Sequence, residues 1–490
     1  MAPLATAVEL KSCPLYINGR PVVSSGPKEI QYNPATGEAI AEIPRSTPDE
    51  ISAAVEAAHR AFAAWSKTPV LQRCRVLFKY RQLLEANEEQ LVALITEENG
   101  KTIEEARGSF QRGLECIEFA CGAPTLMMGE NVDQVGTGVD GWSNRVPLGV
   151  CVGITPFNFP MMVPLWMFPI AIACGNTFVL KPSDKVPRTA VRLVELAYEA
   201  GLPAGVLNLV HGAKEAVDCL LTDPRVRGVS FVGSSPVARY IHQTASNNHK
   251  RVQALGGAKN HSVVLPDAEM KSTVAAVMGS SFGCAGERCL ATSVVIAVGE
   301  AGDPLIKELV RAADNLTVGP GCNAKTGMGP VITEEAKKRI LRYIELAEKE
   351  GAALARDGRR DAVTGGNGFF VGPTILDKVN PDSRLAKEEI FGPVLSVIRV
   401  KNLDEALEII GNSEYGNAAS VFTRSGGAAR KFTQNVDAGM VGINVGVPAP
   451  VAFFPFAGWK NSFFGDLHAL GKDGVNFYTE QRVVTCRWPD

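Results

Sequence analysis

The chain has 490 residues, of which 46% are hydrophobic and 21% charged, the ordinary balance of a globular protein. This length predicts two or three domains. The 50 basic and 52 acidic side chains leave a net charge of −2, which excludes binding to nucleic acid or to an anionic membrane through bulk charge.

The first third of the chain is predicted to be mainly helical. Leu15–Ile17 and Pro21–Val23 flank an Asn-Gly pair and form a predicted hairpin, because Asn-Gly favours a tight two-residue turn. Thr47 then opens a T-P-D-E capping box with Pro48 at the first helical position. Apolar residues recur at helical spacing in Ile51–Trp65, Leu71–Glu85, Asn87–Glu98 and Ile103–Gly122.

An uncharged segment runs from Val146 to Leu180, which is long enough to cross a membrane. Five prolines interrupt it, and no single helix tolerates so many. We therefore interpret it as a strand, a loop and a buried helix at Met161–Ala173. A long uncharged loop inside a protein is also expected to form one wall of an active site.

From Gly149 onward, short apolar runs alternate with helical patterns, which indicates βαβ units and parallel sheets covered by helices on both faces. A second alternation from Lys271 to Val436 predicts a second domain of the same class. The first alternation has predicted strands at Gly149–Thr155, Thr177–Lys181, Gly205–Val210, Gly228–Val232 and His261–Leu265, and predicted helices at Met161–Ala173, Arg188–Ala200, Lys214–Leu221 and Pro236–Ala245.

The cysteines and histidines carry no metal-site or disulfide pattern. None of the 11 cysteines forms a CxxC pair, and none of the 6 histidines forms an HExxH run. We predict a reducing compartment and no catalytic metal. The N-terminal residues lack the basic and apolar regions of a signal peptide, so a cytoplasmic location is expected.

Cys289, in the run Gly-Glu-Arg-Cys, is the first candidate for chemistry. A thiolate is a strong nucleophile toward a carbonyl, and the neighbouring Arg288 is one means of lowering the pKa of the thiol. The alternative is a buried structural cysteine, and Cys284 competes for the same role.

Asn158 lies in the rigid run Pro-Phe-Asn-Phe-Pro directly after a predicted strand. Its amide can donate to the negative charge that develops on an attacked carbonyl. The alternative is a turn asparagine that bonds its own backbone.

Two strand ends offer candidate cofactor contacts. Gly233 and Ser234 lie between a strand and a helix, where backbone can approach a phosphate. An ordinary strand-to-helix turn is the alternative, because no GxGxxG occurs there. Lys181 and Asp184 follow another strand and either bond ribose hydroxyls or lie at a solvated strand end.

Taken together and in this order, these runs resemble the aldehyde dehydrogenase superfamily. Three further stretches match it, namely LGGAKN at Leu255–Asn260, EEIFGP at Glu388–Pro393 and PFAGWK at Pro455–Lys460. The resemblance implies Cys289 as nucleophile, with Asn158 and the Cys289 N–H as oxyanion donors. It also implies NAD bound by Thr155, Phe157, Lys181, Asp184, Gly233, Ser234, Glu389 and Phe391. Asp184 would repel a 2′-phosphate, which favours NAD over NADP.

The resemblance also implies the domain organisation of an aldehyde dehydrogenase-like α/β fold with two parallel-sheet, Rossmann-type domains. Residues 1–130 and 147–257 would bind NAD, and residues 258–475 would form the catalytic domain. Residues 131–146 and 476–490 would form a small bridging element for oligomerisation, and a homotetramer is expected. The C-terminal Val483–Trp488 has the pattern of an edge strand.

Ala254 departs from the hydrolytic members of the superfamily, which carry a glutamate at this position to activate the deacylating water. An alanine cannot act as a general base. A thioester on Cys289 is therefore expected to resist hydrolysis. A second thiol becomes the natural acceptor, since it arrives partly as thiolate.

This departure makes the chain similar to the CoA-acylating methylmalonate-semialdehyde dehydrogenases, as do the stretches Val163–Pro169, Gly257–His261 and Phe464–His468. The resemblance implies NAD-dependent oxidative decarboxylation of methylmalonate or malonate semialdehyde to propionyl-CoA or acetyl-CoA. Coenzyme A would be the co-substrate, as in valine and inositol breakdown.

The same resemblance implies that Arg112 and Arg288 hold the substrate carboxylate, for which a bidentate guanidinium is well suited. Arg112 could instead pair with Glu115 on a helix surface. Arg288 could be a structural bridge or could act only on the thiol.

Three other functions stay open. One is a hydrolytic semialdehyde dehydrogenase in which Glu287 replaces the missing base and the product is a free acid. Another is a non-catalytic protein of this fold, which would have an unreactive Cys289. The third is an acylating enzyme for a different acid semialdehyde, such as succinate semialdehyde.

Overall fold

The computed structural model describes residues 10–488. The strands in chain order are β1 (Lys11–Ser12), β2 (Leu15–Ile17), β3 (Arg20–Val22), β4 (Lys28–Tyr32), β5 (Ala39–Pro44), β6 (Asn131–Gly136), β7 (Val139–Pro147), β8 (Val150–Ile154), β9 (Thr177–Lys181), β10 (Leu207–Leu209), β11 (Val226–Val232), β12 (Arg251–Leu255), β13 (Asn260–Val264), β14 (Thr292–Val298), β15 (Ala353–Arg356), β16 (Thr374–Asp377), β17 (Val394–Val400), β18 (Tyr415–Gly416), β19 (Ala418–Phe422), β20 (Met440–Ile443), β21 (Trp459–Lys460), β22 (Phe463–Gly465) and β23 (Thr479–Arg487).

The four long helices predicted in the first third of the chain are present as α1 to α4. The helices in chain order are α1 (Pro48–Trp65), α2 (Val70–Ala86), α3 (Glu88–Asn99), α4 (Ile103–Cys121), α5 (Ala123–Leu126), α6 (Met162–Ala173), α7 (Pro187–Glu199), α8 (Lys214–Thr222), α9 (Ser235–Asn247), α10 (Met270–Phe282), α11 (Gly302–Asp314), α12 (Glu334–Lys349), α13 (Arg384–Lys387), α14 (Leu403–Gly411), α15 (Gly426–Asn435) and α16 (Gly471–Phe477).

The first large sheet has eight strands in the order β22-β12-β11-β8-β9-β10-β2-β3. The five strands from β12 to β10 are parallel, and antiparallel strands close both edges. β8 and β9 are buried along their whole length, as expected for strands covered on both faces. The carboxyl ends of β8, β9 and β11 therefore open on one edge of the sheet.

The second large sheet has seven strands in the order β15-β16-β17-β14-β13-β19-β20. All its neighbours pair in parallel except β15, which is antiparallel to β16. Its own apolar core contains Val295, Ile296, Leu395 and Val421. Two parallel α/β layers with separate sheets confirm the predicted fold class.

A third, small sheet joins distant parts of the chain in the order β23-β7-β6. β23 lies antiparallel to β7 along its full length, from Thr479 opposite Pro147 to Arg487 opposite Val139. Val132, Val135 and Val483 are exposed on this sheet. The domain boundaries given above remain predictions.

Several strands were not predicted from the sequence. β4 and β5 pair with each other and β5 with β1, although their polar and apolar residues do not alternate clearly. β12 contains Gln253, a polar residue that argues against a buried strand, yet it pairs on both sides. In each case tertiary pairing overrides a weak local pattern.

The uncharged segment folds as predicted, into β8, a loop and α6. Every residue of α6 from Val163 to Ala173 is buried, and Pro169 lies inside the helix. The helices within residues 10–488 include none with the length and apolar character needed to cross a bilayer.

Candidate active site

The loop that carries Cys289 begins with a left-handed turn at the end of α10. Cys284 and Ala285 have φ of 49° and 52°, and Gly286 follows with φ of 73°. Non-glycine residues seldom adopt this conformation, and it concentrates at functional sites. A Cβ at Gly286 would lie 2.2 Å from the Gly392 carbonyl oxygen, so glycine is needed there. The turn directs the chain toward Cys289 before β14 begins.

Cys289 is only partly exposed and lines a cavity of about 1990 Å³. Removal of the thiol from water raises its pKa to about 12, and the nearby Glu389 adds to this shift. The backbone N–H groups of Cys289 and Leu290 and the charge of Arg288 act in the opposite direction. Arg288 therefore favours the thiolate, as predicted, but burial outweighs it and the resting group is a thiol.

The predicted cofactor positions and the two predicted catalytic residues come together around this one cavity. They reach it from the ends of β8, β9 and β11 in the first large sheet and from the loops of the second. The lining includes Thr155, Phe157, Asn158, Lys181, Asp184, Gly233, Ser234, Cys289, Glu389 and Phe391.

Asn158 is 5% exposed, and its Nδ2 donates to the Glu287 carbonyl oxygen at 3.0 Å. Its own carbonyl accepts from the buried Lys101 Nζ at 2.6 Å. That ammonium also lies 4.1 Å from the centre of the Phe159 ring. The loop is thus fixed beside the nucleophile, and an amide has two N–H groups, so Asn158 can donate to a second acceptor.

The turn from β11 into α9 presents a helix N-terminus to the cavity. Ser234 is the N-cap residue, and within the described chain its side chain makes no capping hydrogen bond. A Cβ at Gly233 would lie 2.4 Å from the Phe231 ring. The unpaired N–H groups and the dipole of a helix start attract phosphate.

Lys181 and Asp184 form a shielded pair, with Nζ 3.8 Å from Oδ1. Burial lowers the pKa of Lys181 and raises that of Asp184. Asp184 also accepts from the Gly212 N–H at 3.2 Å. The nearby Thr155 hydroxyl is buried and has no hydrogen-bond partner among the described residues. Unsatisfied polar groups of this kind fit the hydroxyls of a ribose.

Glu389 and Phe391 approach the cavity from the second sheet. Glu389 accepts from the Ala258 N–H at 3.0 Å, and burial raises the pKa of its carboxyl to about 7. Phe391 has φ of 52° and meets the Phe157 ring edge-on at 5.8 Å between centroids. A carboxyl and two aromatic rings beside a helix N-terminus fit a dinucleotide better than a purely apolar ligand.

A buried glutamate that the sequence did not predict occupies the start of α7. Glu98 is fully buried and accepts from the Arg188 and Thr189 N–H groups at 3.0 Å each. It also accepts from the Thr189 hydroxyl and from Gln31 Nε2. The N-terminus of α7 is thereby filled by the protein itself.

Arg112 and Arg288 are tied to protein groups in this structure. Arg112 donates to Glu115 at 2.7 Å and to the carbonyl of Pro450. Arg288 donates to the Cys284 sulfur at 3.3 Å and to the Gly279 carbonyl at 3.1 Å, and it lies 3.4 Å from Glu105. The described residues that line the large cavity include neither arginine.

Comparison with known proteins decides the family. The model of the aldehyde dehydrogenase family matches residues 23–484 of the sequence. The chain belongs to the aldehyde dehydrogenase family. This confirms the resemblance found in the sequence and the assignment to an enzyme class.

Two curated relatives of this aldehyde dehydrogenase are malonate-semialdehyde dehydrogenases. One from Geobacillus kaustophilus is 57% identical over 96% of this chain and 98% of its own length. One from Halalkalibacterium halodurans is 55% identical over the full length of both chains.

Solved structures agree with this placement. A methylmalonate-semialdehyde dehydrogenase from Oceanimonas doudoroffii superposes with a TM-score of 0.97 at 50% identity, covering 98% of this chain and 99% of its own. A protein of Sinorhizobium meliloti described as a methylmalonate-semialdehyde dehydrogenase, complexed with NAD, gives 0.97 at 46% identity over 99% of both chains.

Ala254 is the residue that the resemblance aligns with the glutamate of the hydrolytic enzymes. Ala254 lies within β12, opposite Phe231 and Phe464, and is fully buried. The Glu287 carboxyl accepts only from the Ile332 N–H, at 3.3 Å, among the described contacts. Burial raises the pKa of Glu287 to about 8, so its carboxyl is mostly protonated near neutral pH.

Two asparagines that the sequence did not single out hold the nucleophile. Asn260 Nδ2 and Asn417 Nδ2 each donate to the Cys289 carbonyl oxygen at 2.8 Å. Asn260 belongs to the LGGAKN stretch that resembles the aldehyde dehydrogenase superfamily, but that resemblance gave this asparagine no role of its own. Asn417 lies 128 residues beyond Cys289, and no local pattern connects the two.

Proposed function

We propose that this aldehyde dehydrogenase oxidises malonate or methylmalonate semialdehyde with NAD and transfers the resulting acyl group to coenzyme A. The observation that carries the proposal concerns the two positions where a base is expected: Ala254 has only a methyl group, and Glu287 is a buried carboxyl that is mostly protonated near neutral pH. The names of the relatives support the substrate class.

In this mechanism the Cys289 thiol loses its proton to solvent, and the resulting thiolate attacks the aldehyde carbon. Asn158 and the Cys289 N–H donate to the oxygen as it becomes negative. NAD, when bound, supplies the hydride acceptor, and the residues suited to hold it are Lys181, Asp184 and Glu389 with the N-terminus of α9. The cysteine is then left as a thioester of the acid.

The next step follows from the chemistry of the substrate. The thioester carries a β-carboxylate, and loss of CO₂ leaves an enolate whose oxygen the same two donors stabilise. Protonation of the enolate carbon gives an acetyl or propionyl thioester. The thiolate of coenzyme A forms a new carbon–sulfur bond to it, and the Cys289 thiolate leaves.

The preference for a thiol acceptor comes from the two positions at which a base is expected. Water must lose a proton to become a nucleophile, and neither position 254 nor position 287 accepts one near neutral pH. A thiol ionises in part without help. Coenzyme A is therefore expected to outpace water.

The carboxylate of the substrate is proposed to bind between Arg112 and Arg288, and α4 supports this. Arg288 lies against Glu105, and Arg112 follows Glu105 by seven residues on the same face of α4, about 10 Å along the helix. Each guanidinium has five N–H donors and keeps spare ones for a carboxylate.

The deciding experiment is NADH formation from both semialdehydes with and without coenzyme A, with product identification by mass. We expect sustained turnover only with coenzyme A, yielding acetyl-CoA or propionyl-CoA. Turnover to a free acid without coenzyme A would overturn the acylating assignment. Ala254→Ser serves as a control that keeps a small, non-basic side chain.

The arginines are tested by comparing a charged and a neutral substrate. Arg112→Met and Arg288→Met should each raise KM for malonate semialdehyde about 30-fold, because a lost charged hydrogen bond is worth about 2 kcal/mol. KM for propanal, which has no carboxylate, should change less than about threefold. Equal losses with both aldehydes would remove these residues from the substrate site.

We also propose a homotetramer bridged by the third sheet. β6 and β23 are its two outer strands and carry the exposed Val132, Val135 and Val483. Exposed edges and apolar side chains favour pairing with another chain. Light scattering should give a mass about four times that of the chain, and Val132→Lys with Val483→Lys should lower it.

A further inference from the structure

The backbone carbonyl of Cys289 lies in a loop but is held by two side-chain hydrogen bonds. It accepts from Asn260 and from Asn417 at 2.8 Å each, so both of its lone pairs are used. Both asparagines are only 4% exposed. Water therefore does not compete for these bonds.

Asn260 is itself fixed on three sides. Its Nδ2 also donates to the Ala291 carbonyl at 2.9 Å, and its Oδ1 accepts from the Ala418 N–H at 3.1 Å. Asn260 begins β13, and Asn417 immediately precedes β19, the neighbouring strand. Two adjacent strands of the second sheet thus set the orientation of the peptide that follows Cys289.

The N–H end of this Cys289–Leu290 peptide lies toward the reactive sulfur. Its N–H belongs to Leu290, and the backbone N–H groups of Leu290 and Cys289 act to lower the pKa of the Cys289 thiol, which favours the thiolate. Hydrogen bonds along a chain polarise one another. When the carbonyl of a peptide accepts two hydrogen bonds, the N–H of the same peptide becomes a stronger donor.

We propose that Asn260 and Asn417 are positioning residues for the nucleophile. By saturating the Cys289 carbonyl they orient and polarise the Cys289–Leu290 peptide, whose N–H stabilises the thiolate. This function is separate from the oxyanion donors, because the two asparagines act on the sulfur through the backbone and touch neither substrate nor cofactor.

The chain contains a matched control for a purely structural asparagine. Asn176 Nδ2 donates to the Ala171 and Tyr478 carbonyls at 3.0 and 2.8 Å, and its Oδ1 accepts from the Gly149 N–H at 3.0 Å. It is fully buried. Asn176 therefore has the same three-bond arrangement as Asn260, but at the small-sheet end of the first large sheet.

The experiment measures the rate of Cys289 alkylation by iodoacetamide from pH 6 to 10 in the full-length protein, without aldehyde, NAD or coenzyme A. Peptide mass spectrometry separates Cys289 from the other cysteines, and the exposed Cys322 is the internal reference. The variants are Asn417→Ala, Asn417→Asp, Asn260→Ala and Asn176→Ala.

We expect the first three variants to shift the pH profile of Cys289 upward by about one unit, which lowers its alkylation rate at pH 8 about tenfold. Asn176→Ala should lower the thermal midpoint and leave the profile in place. Asn417→Ala removes a single bond, so it decides the matter if Asn260→Ala fails to fold.

Two results would overturn the proposal: profiles of Asn417→Ala and Asn417→Asp that overlay the parent protein, or a shift of the same size in Asn176→Ala. The proposal rests on Cys289 as the nucleophile of the proposed function. Since no acyl acceptor is present, a failure here says nothing about coenzyme A. A free-acid product in the turnover experiment likewise would not contradict the proposal for the two asparagines.

Discussion

The N-termini of α7 and α9 differ in what accepts their N–H groups, and only that of α9 lines the large cavity. At α7 the buried carboxylate of Glu98 accepts the N–H groups of Arg188 and Thr189. At α9 the N-cap Ser234 makes no side-chain cap within the described chain. A helix start attracts an anion wherever it is. The protein supplies its own anion at α7, and we propose that the phosphates of the cofactor take this position at α9.

The largest expected effect comes from removing the carboxylate at the N-terminus of α7. Glu98→Ala leaves several buried donors without an acceptor and creates a cavity, so the free energy of unfolding should fall by about 3 kcal/mol. The measurement is the urea midpoint, with Glu98→Gln as a control that keeps the volume and one acceptor. An unchanged midpoint in Glu98→Ala would mean that water replaces the carboxylate.

The next largest effect comes from introducing a carboxylate at the N-terminus of α9. Ser234→Asp copies the α7 arrangement onto α9 and should raise the Kd for NAD about 30-fold, since about 2 kcal/mol of phosphate attraction is lost. The fold should persist because Asp is a favourable N-cap residue. Ser234→Asn is the neutral control, and equal NAD binding by both variants would contradict the assignment of this turn to the phosphates.

A third test compares Glu98 with a second buried carboxyl, that of Glu287, which accepts only one backbone N–H among the described contacts. The folded pKa of Glu287 is about 8, above its unfolded value. Its protonated form therefore stabilises the fold at low pH, and this contribution is lost as the pH rises through about 8. Between pH 7 and 9 the stability should fall by about 1 kcal/mol.

Glu287→Gln removes the titration and should flatten this part of the pH dependence. The measurement is the urea midpoint at pH 7 and pH 9 for parent and variant. A variant with the same decline as the parent would assign the titration to another group.

The smallest effect concerns cofactor choice at the β9 end of the cavity. Asp184→Ser removes a negative charge expected to repel the 2′-phosphate of NADP. The ratio of kcat/KM for NAD over NADP should fall about fivefold, or about 1 kcal/mol. Asp184→Glu keeps the charge and should preserve the ratio. An unchanged ratio in Asp184→Ser would separate this residue from the ribose.

Sequence reasoning reached the features that local patterns encode. The Thr47 capping box, the alternation of strands and helices, the buried α6 and the run around Cys289 all stand in a short stretch of chain, and each lies where it was predicted. These patterns also fix the fold class, because parallel strands with intervening helices leave few other topologies.

What the sequence did not indicate depends on partners far away in the chain. Glu98 is the last residue of a predicted helix, and only the contact with α7, some 90 residues later, shows that it is buried. The thiol of Cys289 was expected to be acidic because of Arg288. The number of atoms packed around that thiol is a property of the fold, and it reverses the direction of the pKa shift.

The uncharged stretch from Val146 to Leu180 places α6 and two central strands in the interior. These elements carry no charged side chain within the stretch, so only burial in the folded protein keeps them from water. Once the first sheet opens on heating, this stretch offers a long apolar surface to other unfolded chains. Aggregation should then outrun refolding. The working lifetime of the enzyme at high temperature is therefore set by how fast that sheet opens.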